Sequence, residues 1–362
     1  MAFVAPSRRI LVVKTRAIGD TVLLTGVLRV LREHKPHYKI DVLVRWPGGQ
    51  LLEHLPYIDR VICVNEPKNG FERMAYWMRL VRRLRERRYE MVLNFHASPR
   101  TAFFAKLLRT QMVVANHHAL KGRNWFSDIH VPGRGHVKSI IDRDLDVLRA
   151  IGIHCTPTEA MPKLCLSSDE ISCAKLKLKT EGDGPLVFLG IGGSRDTKRW
   201  PAEHFIEMAR RLMNERRAHF VLATTKEDRN WIKDFHAHLE KVPDLKKKVL
   251  ELSDLTLREV SAVVSICELY IGNDSGVKHI AVAHGLPTFT FFGPELPTEW
   301  HPYDVKKHPF EFIPDLDCRT ESGKHWCSIS VCDKHGHVCM KNSTPAKVFN
   351  KVVELLGMKS CT

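Results

Sequence analysis

Apolar residues along this chain gather in short unbroken runs, and between the runs they return at helical spacing with polar residues filling the gaps. Arg8–Thr15 (RRILVVKT) reads as a buried strand with a basic lead-in, and a helical pattern over 21–32 follows with Val22, Leu23, Val27, Leu28 and Leu31 on its apolar side. Further strands are predicted at 40–44, 61–64, 91–94 and 112–115, separated by helices near 49–55, 71–88 and 101–108. The segment 116–136 is polar, basic and aperiodic and reads as a long loop. A helix over 142–151, extended chain over 154–163 and a helix over 168–180 follow.

After Gly182, Asp183, Gly184 and Pro185, a linker composition, the alternation starts again. Strands are predicted at 186–191, 219–223 and 249–251, with helices leading from Pro201 through Met213, over 227–239 and over 257–264. The stretch LYIGNDSGVKHIAVAHGLPTFTFFGP (269–294) then reads as strand, tight turn, helix, strand, with Gly285 as the helix stop and Pro287 just beyond it. A last helix spans about 344–356, with Pro345 in its first turn. Such alternation predicts an α/β chain of two Rossmann-like doubly wound parallel-sheet domains, 1–181 and 182–362, facing a cleft. The last helix is a candidate to pack back on the N-terminal domain.

The turn in the 269–294 stretch carries a chemical consequence. The first amides of a helix lack intrachain partners and sit at its positive dipole end, where an anion, a phosphate above all, is favoured. Asp274 and Ser275 occupy the turn where an N-cap belongs, Gly276 clears space beside the backbone, and His279 falls one turn along. The bland reading has Asp274 and Ser275 as caps and His279 as a packed residue. In the same half, the turn Gly192, Gly193, Ser194 leaves amides for hydrogen bonds and Lys198 supplies a point charge for a diphosphate. Neither G-x-G-x-x-G after the first strand nor G-x-x-x-x-G-K-[ST] is present, which disfavours a dinucleotide dehydrogenase and a P-loop phosphotransferase. Asp20, in a loop after the first strand, is a candidate general base for a hydroxyl, or the N-cap of the helix that follows.

Composition narrows the class. The chain has 362 residues, room for two domains, and 44% hydrophobic with 27% charged residues is the balance of a folded soluble protein. No apolar run is long enough to span a bilayer, and the N-terminus leads straight into a strand rather than a secretory signal, which points to the cytoplasm. A formal net charge of +15 implies an anionic partner. Basic and aromatic residues do not interleave as a single-strand nucleic-acid face requires, so nucleic acid is disfavoured. The helix at 71–88 has Phe71, Met74, Met78, Val81 and Leu84 on one side and Arg73, Arg79, Arg82, Arg83, Arg85, Arg87 and Arg88 elsewhere; it reads as a solvated outer helix, or as a basic amphipathic helix on an anionic bilayer. Cys63, Cys173 and Cys267 read as reduced, buried thiols. Cys318, Cys327, Cys332 and Cys339 are grouped but lack the C-x-x-C pairs of a structural zinc site.

Three blocks, VVKTRAIGDTVLLT with Lys14, Thr15, Ile18, Gly19 and Asp20, then GGSRDTKRWPAEHF, then NDSGVKHIAVAHGLPTFTFFGP, together resemble the bacterial heptosyltransferases of glycosyltransferase family nine, in the family's order. Cys339–Met340 before the Thr-Pro helix start resembles the C-terminal part of many members. The resemblance implies a GT-B fold and an inverting transfer of heptose from ADP-heptose to the lipid A-core oligosaccharide of lipopolysaccharide, without metal or other cofactor, on the anionic cytoplasmic face of the inner membrane. It implies Asp20 as catalytic base and Lys198 as the phosphate lysine. Asp274, Ser275, Gly276 and His279 would hold the donor with Gly192, Gly193 and Ser194, and Glu227 would lie near the ribose. Arg16, Arg45, Arg100, Lys121 and Arg123, at predicted strand ends or in the long loop, are candidates for an acidic acceptor. Ser275 stands where several members have Thr, and Lys278 follows Val277 where a small polar or apolar pair is common, to add charge near the phosphates or to face solvent. Transfer of another nucleotide sugar to a different envelope glycan, or a non-catalytic nucleotide- or nucleic-acid-binding role, are the alternative readings.

Overall fold

The computed structural model describes residues 8–96, 98–116, 126–131, 138–178, 183–225, 229–320, 327, 329–332 and 335–357. The chain divides into two compact units, Met1–Cys165 and Leu166–Thr362. The junction therefore precedes the helix at 168–177, which the sequence assigns to the first domain. That helix belongs with the second unit because Arg258 there holds its Glu170 through two hydrogen bonds and Glu259 accepts from its Lys177 at 2.6 Å.

In the first unit the order is β1 (Arg9–Lys14), α1 (Ile18–His34), β2 (Lys39–Arg45), β3 (Arg60–Val64), α2 (Gly70–Arg85), β4 (Met91–Asn94), α3 (Pro99–Leu107), β5 (Met112–Asn116), β6 (Ile129–Val131) and α4 (Ile140–Arg149). The six strands pair in parallel as β3-β2-β1-β4-β5-β6. Ile10 to Val13 are fully buried, as a central parallel strand covered on both faces requires. The helix expected near 49–55 is only a 3-10 turn, Gly48–Leu52. The extended segment 154–163 lies so close to α1 that a Cβ on Gly26 would stand 2.0 Å from the Ala160 carbonyl oxygen, and Lys163 N–H donates to Thr25 Oγ1 (3.0 Å).

The second unit runs α5 (Ser168–Lys177), β7 (Leu186–Gly190), α6 (Ala202–Arg216), β8 (His219–Thr224), α7 (Arg229–Leu239), α8 (Pro243–Lys246), β9 (Val249–Ser253), α9 (Leu257–Ser265), β10 (Leu269–Asn273), α10 (Gly276–Ala283), β11 (Thr288–Phe292), α11 (Pro297–Trp300), β12 (Phe310–Phe312), α12 (Asp317–Thr320), α13 (Val338–Lys341) and α14 (Pro345–Leu356). Its strands pair in parallel as β12-β11-β10-β7-β8-β9, the same winding as the first. Gly285, at φ +79°, ends α10 in the left-handed conformation that glycine adopts without strain. Within this unit Val348, Val352 and Leu355 of α14 complete the core against Phe205, Met208 and Leu212 of α6. Cys267 is buried as expected, whereas Cys63, on the edge strand β3, and Cys173, on α5, are exposed.

In each unit two neighbouring central strands lead away in opposite directions, β1 beside β4 and β7 beside β10. The crevice outside the carboxyl ends of such a pair is where open α/β sheets bind ligands.

Candidate active site

At the first unit's switch point the chain leaves β1 through Thr15, Arg16 and Ala17 and enters α1 at Ile18. Asp20 is therefore in the first turn of the helix, not in a loop, and it is not the cap: Ala17 occupies that position. Its carboxylate is 3% exposed, favoured there by the helix dipole, and Arg16 Nε lies 3.8 Å from Oδ2. Lys14 Nζ lies 3.9 Å from Oδ1, an oxygen that accepts no hydrogen bond. The Lys14 ammonium is instead engaged by Asp144 of α4 in a short ion pair, with both side chains fully buried. Burial drives the Asp144 pKa up; Lys14 opposes this and the Asp20 charge adds to it. One buried ammonium thus serves two carboxylates and binds one of them closely. Thr15 Oγ1 lies 3.0 Å from His96 Nδ1 and so ties this turn to the loop after β4.

Of the other basic candidates, Arg45 ends β2 and Arg100 lies in the first turn of α3, both exposed. With Arg16 they stand at the carboxyl ends of the adjacent strands β2, β1 and β4. Lys121 and Arg123 lie outside the described residues, as does Glu227.

The second unit's switch point is more densely charged. Asp274 follows β10 and is buried, with Lys278 Nζ donating to Oδ1 (2.6 Å) and Lys198 Nζ to Oδ2 (3.1 Å). Burial alone would raise its pKa, but Lys278 and Lys198 outweigh burial and hold the carboxyl well below the usual range. Asp274 therefore pairs lysines instead of capping α10. Ser275 occupies the N-cap position without a capping bond, its hydroxyl 3.2 Å from Tyr270 Oη, so the side chains leave the first amides of α10 uncapped. Lys278 does not face solvent: it is fully buried, also donates to the Trp300 carbonyl (3.0 Å), and stands over the Phe292 ring at 4.6 Å. His279 is packed, its Nδ1 against the Tyr303 hydroxyl, with its pKa driven far down by burial and then by Lys278.

Lys198 sits in a 3-10 turn between two anchors. Thr197 Oγ1 donates to the Ile329 carbonyl (2.9 Å), and Trp200 stacks on Phe291 (centroids 3.8 Å apart) while donating from Nε1 to the Ser343 carbonyl (2.6 Å). Glu295, held by Arg195, lies 3.5 Å from Lys198 Nζ. Asn273, fully buried, stitches the two strand ends together: Nδ2 donates to the carbonyls of Ile191 (2.8 Å) and Gly192 (3.2 Å), and Oδ1 accepts from Trp200 N–H (2.8 Å). Arg199 donates to the Gly193 carbonyl (2.9 Å) and covers the Trp231 ring at 5.0 Å. A Cβ on Gly192 would meet only that ring, at 3.8 Å, so contacts within the protein do not demand glycine there. Ser194 follows, exposed, in the same turn.

The structure thus gathers Gly192, Gly193, Lys198, Asp274, Ser275, Gly276 and His279 at one strand-end crevice, and Asp20 with Arg16 at the other unit's. Sequence reading missed Lys14 as partner of Asp144, and Arg195, Glu295 and Asn273. Asp144 carried a signal: in IIDRDLDVLR it falls on the face of Ile141, Leu145 and Leu148, where a carboxylate needs a buried cation. Among the described residues no cluster of His, Cys, Asp and Glu is arranged to hold a metal ion, and no helix is long and apolar enough to cross a membrane.

Two doubly wound parallel-sheet units, with charged switch-point crevices, define an α/β protein of the GT-B type. The chain belongs to glycosyltransferase family 9 (heptosyltransferase), whose family profile matches residues 77–322, a span that includes Lys198, Asp274 and His279 and begins after Asp20. It is a glycosyltransferase. Among curated relatives it is 25% identical to lipopolysaccharide heptosyltransferase 2 of Salmonella typhimurium, over 96% of this chain and 99% of the relative. Its fold matches the structure of ADP-heptose lps heptosyltransferase II from E. coli (TM-score 0.76, 20% identity, 96% of this chain and 98% of the other). It also matches a family 9 glycosyl transferase from Veillonella parvula (TM-score 0.81, 20% identity, 98% and 99%).

Proposed function

We propose that this glycosyltransferase moves a heptose from ADP-heptose onto the inner core of lipopolysaccharide, with inversion at the anomeric carbon and Asp20 as general base. The observation that carries the reading is the Asp20 carboxylate: buried, with an oxygen that accepts no hydrogen bond, beside a lysine whose ammonium Asp144 engages. A buried carboxylate oxygen that accepts no hydrogen bond within the protein has its lone pairs free to take a proton from a hydroxyl brought within reach. As the acceptor oxygen bonds to the anomeric carbon, Asp20 takes the hydroxyl proton and the bond from that carbon to the phosphate oxygen breaks. ADP departs with the bonding electrons.

The second unit would hold the donor. The cations Lys198, Lys278 and Arg195 against the carboxylates Asp274 and Glu295 leave one net positive charge beside the uncapped amides of α10. That charge stabilises the departing diphosphate, a role a divalent cation plays in other transferases, and supports transfer without a metal. Lys198, the least buried of the two lysines on Asp274, is the one to reach the phosphates. Arg16, Arg45 and Arg100 suit an acceptor bearing carboxylates and phosphates. The acceptor's lipid anchor sets the work at the anionic cytoplasmic face of the inner membrane. The relatives named for lipopolysaccharide heptosyl transfer support the choice of donor and acceptor.

Thermal unfolding with a panel of nucleotide sugars tests the donor. ADP-heptose at 100 times its dissociation constant should stabilise the protein by about 2.7 kcal/mol, with little response to UDP- or GDP-sugars. A preference for UDP- or GDP-sugars would move the assignment to another donor and glycan.

A further inference from the structure

Helix α2 buries only part of its apolar side. Leu80, Val81 and Leu84 pack into the first unit's core with Phe104 of α3, whereas Phe71, Met74 and Met78 are 79%, 60% and 62% exposed. Residues three and four apart share a helix face, so these three form one outward row that continues through Arg82 and Arg85. Arg79 and Arg83 flank it. All four arginines are exposed, and among the described residues no carboxylate pairs with any of them. A parallel crossover places the start of α2 at the carboxyl end of the sheet, the edge that also carries Asp20 and Arg45.

We infer that α2 is the element by which this protein docks on an anionic bilayer, with Phe71, Met74 and Met78 entering the boundary between headgroups and acyl chains and Arg79, Arg82 and Arg83 meeting lipid phosphates. The pattern is that of an interfacial helix: an apolar row, a cationic flank and little overall hydrophobicity. Charge favours a bilayer over a protein groove as the occupant, since a net charge of +15 spread over the chain is matched by an extended anionic surface. The inference rests on the lipid-anchored acceptor proposed above. Docking through α2 would bring the membrane to the same end of the sheet as the base.

Vesicle sedimentation separates the two readings. The parent protein should sediment with vesicles of phosphatidylethanolamine and phosphatidylglycerol and stay in solution with phosphatidylcholine alone. The variant F71S/M74S/M78S should lower partition onto the anionic vesicles at least tenfold, and R79Q/R82Q/R83Q by about fivefold for each arginine removed. Both should melt as the parent does and transfer heptose to a lipid-free core oligosaccharide at the parent rate. Parent protein left in the supernatant, or both variants binding as the parent does, overturns the docking assignment. Loss of transfer by the parent itself, with the vesicle pattern intact, counts against the activity and leaves the docking helix standing.

Discussion

Lys14 is an ammonium that follows four apolar residues at the end of β1, and it is fully buried. Desolvating it and Asp144 is expensive, and the arrangement holds because each supplies the other's charge. Removing one partner leaves the other uncompensated, so Lys14→Met should destabilise the protein by about 3–5 kcal/mol in denaturant unfolding. An unchanged midpoint would mean that the pair is not formed. The same logic explains Asp274, whose carboxylate is committed to two lysines. It holds Lys198 and Lys278 in place, and in the proposed reaction the cation so presented would meet the diphosphate. Neither pairing can be read from the sequence: Lys14 and Asp144 are 130 positions apart, Lys198 and Asp274 are 76 apart, and only tertiary packing selects the partners.

At the level of elements, the strands were legible wherever a central parallel strand had to be buried on both faces, as in ILVV, VLV and TFTFF. Strands β6 and β12 were not, because three residues carry no readable period. The sequence pattern starts α1 at Thr21 because glycine and aspartate resemble a turn, yet Thr21 N–H already bonds the Ala17 carbonyl at 3.2 Å, so Asp20 is helical. The outward row of α2 was legible as apolar spacing, but its exposure was not, since spacing does not say which half of a helix the neighbouring helix covers. Packing of α10, α11 and β12 has a pH consequence. It buries His301 and His308, whose pKa values are pushed down to about 3 and about 4, chiefly by burial. Between their ordinary 6.5 and those values the unfolded chain binds protons that the folded chain does not. Their stabilising effect is therefore full above pH 6.5 and is lost as pH falls, by about 1.4 kcal/mol per pH unit for each histidine. Melting temperature should drop steadily from neutral pH to about pH 5, and a flat profile would show that these rings are not held neutral.

Across the whole molecule, the same winding occurs twice, and each copy places a different chemistry at its switch point. The first holds a carboxylate with an oxygen that accepts no hydrogen bond; the second holds a cation beside uncapped helix amides. In the proposed reaction the first unit would supply the base and the second would stabilise the leaving group. Family membership makes the chain a glycosyltransferase, and Asp20 is the residue on which the proposed chemistry turns. The most direct measurement is a transfer assay with ADP-heptose and a lipid A-core acceptor, comparing the parent with Asp20→Asn and reading product mass and anomeric configuration. The parent should add one heptose with inversion, and Asp20→Asn should bind ADP-heptose normally while transferring about 100- to 10,000-fold more slowly. Transfer by Asp20→Asn near the parent rate, or a product with retained configuration, would contradict it.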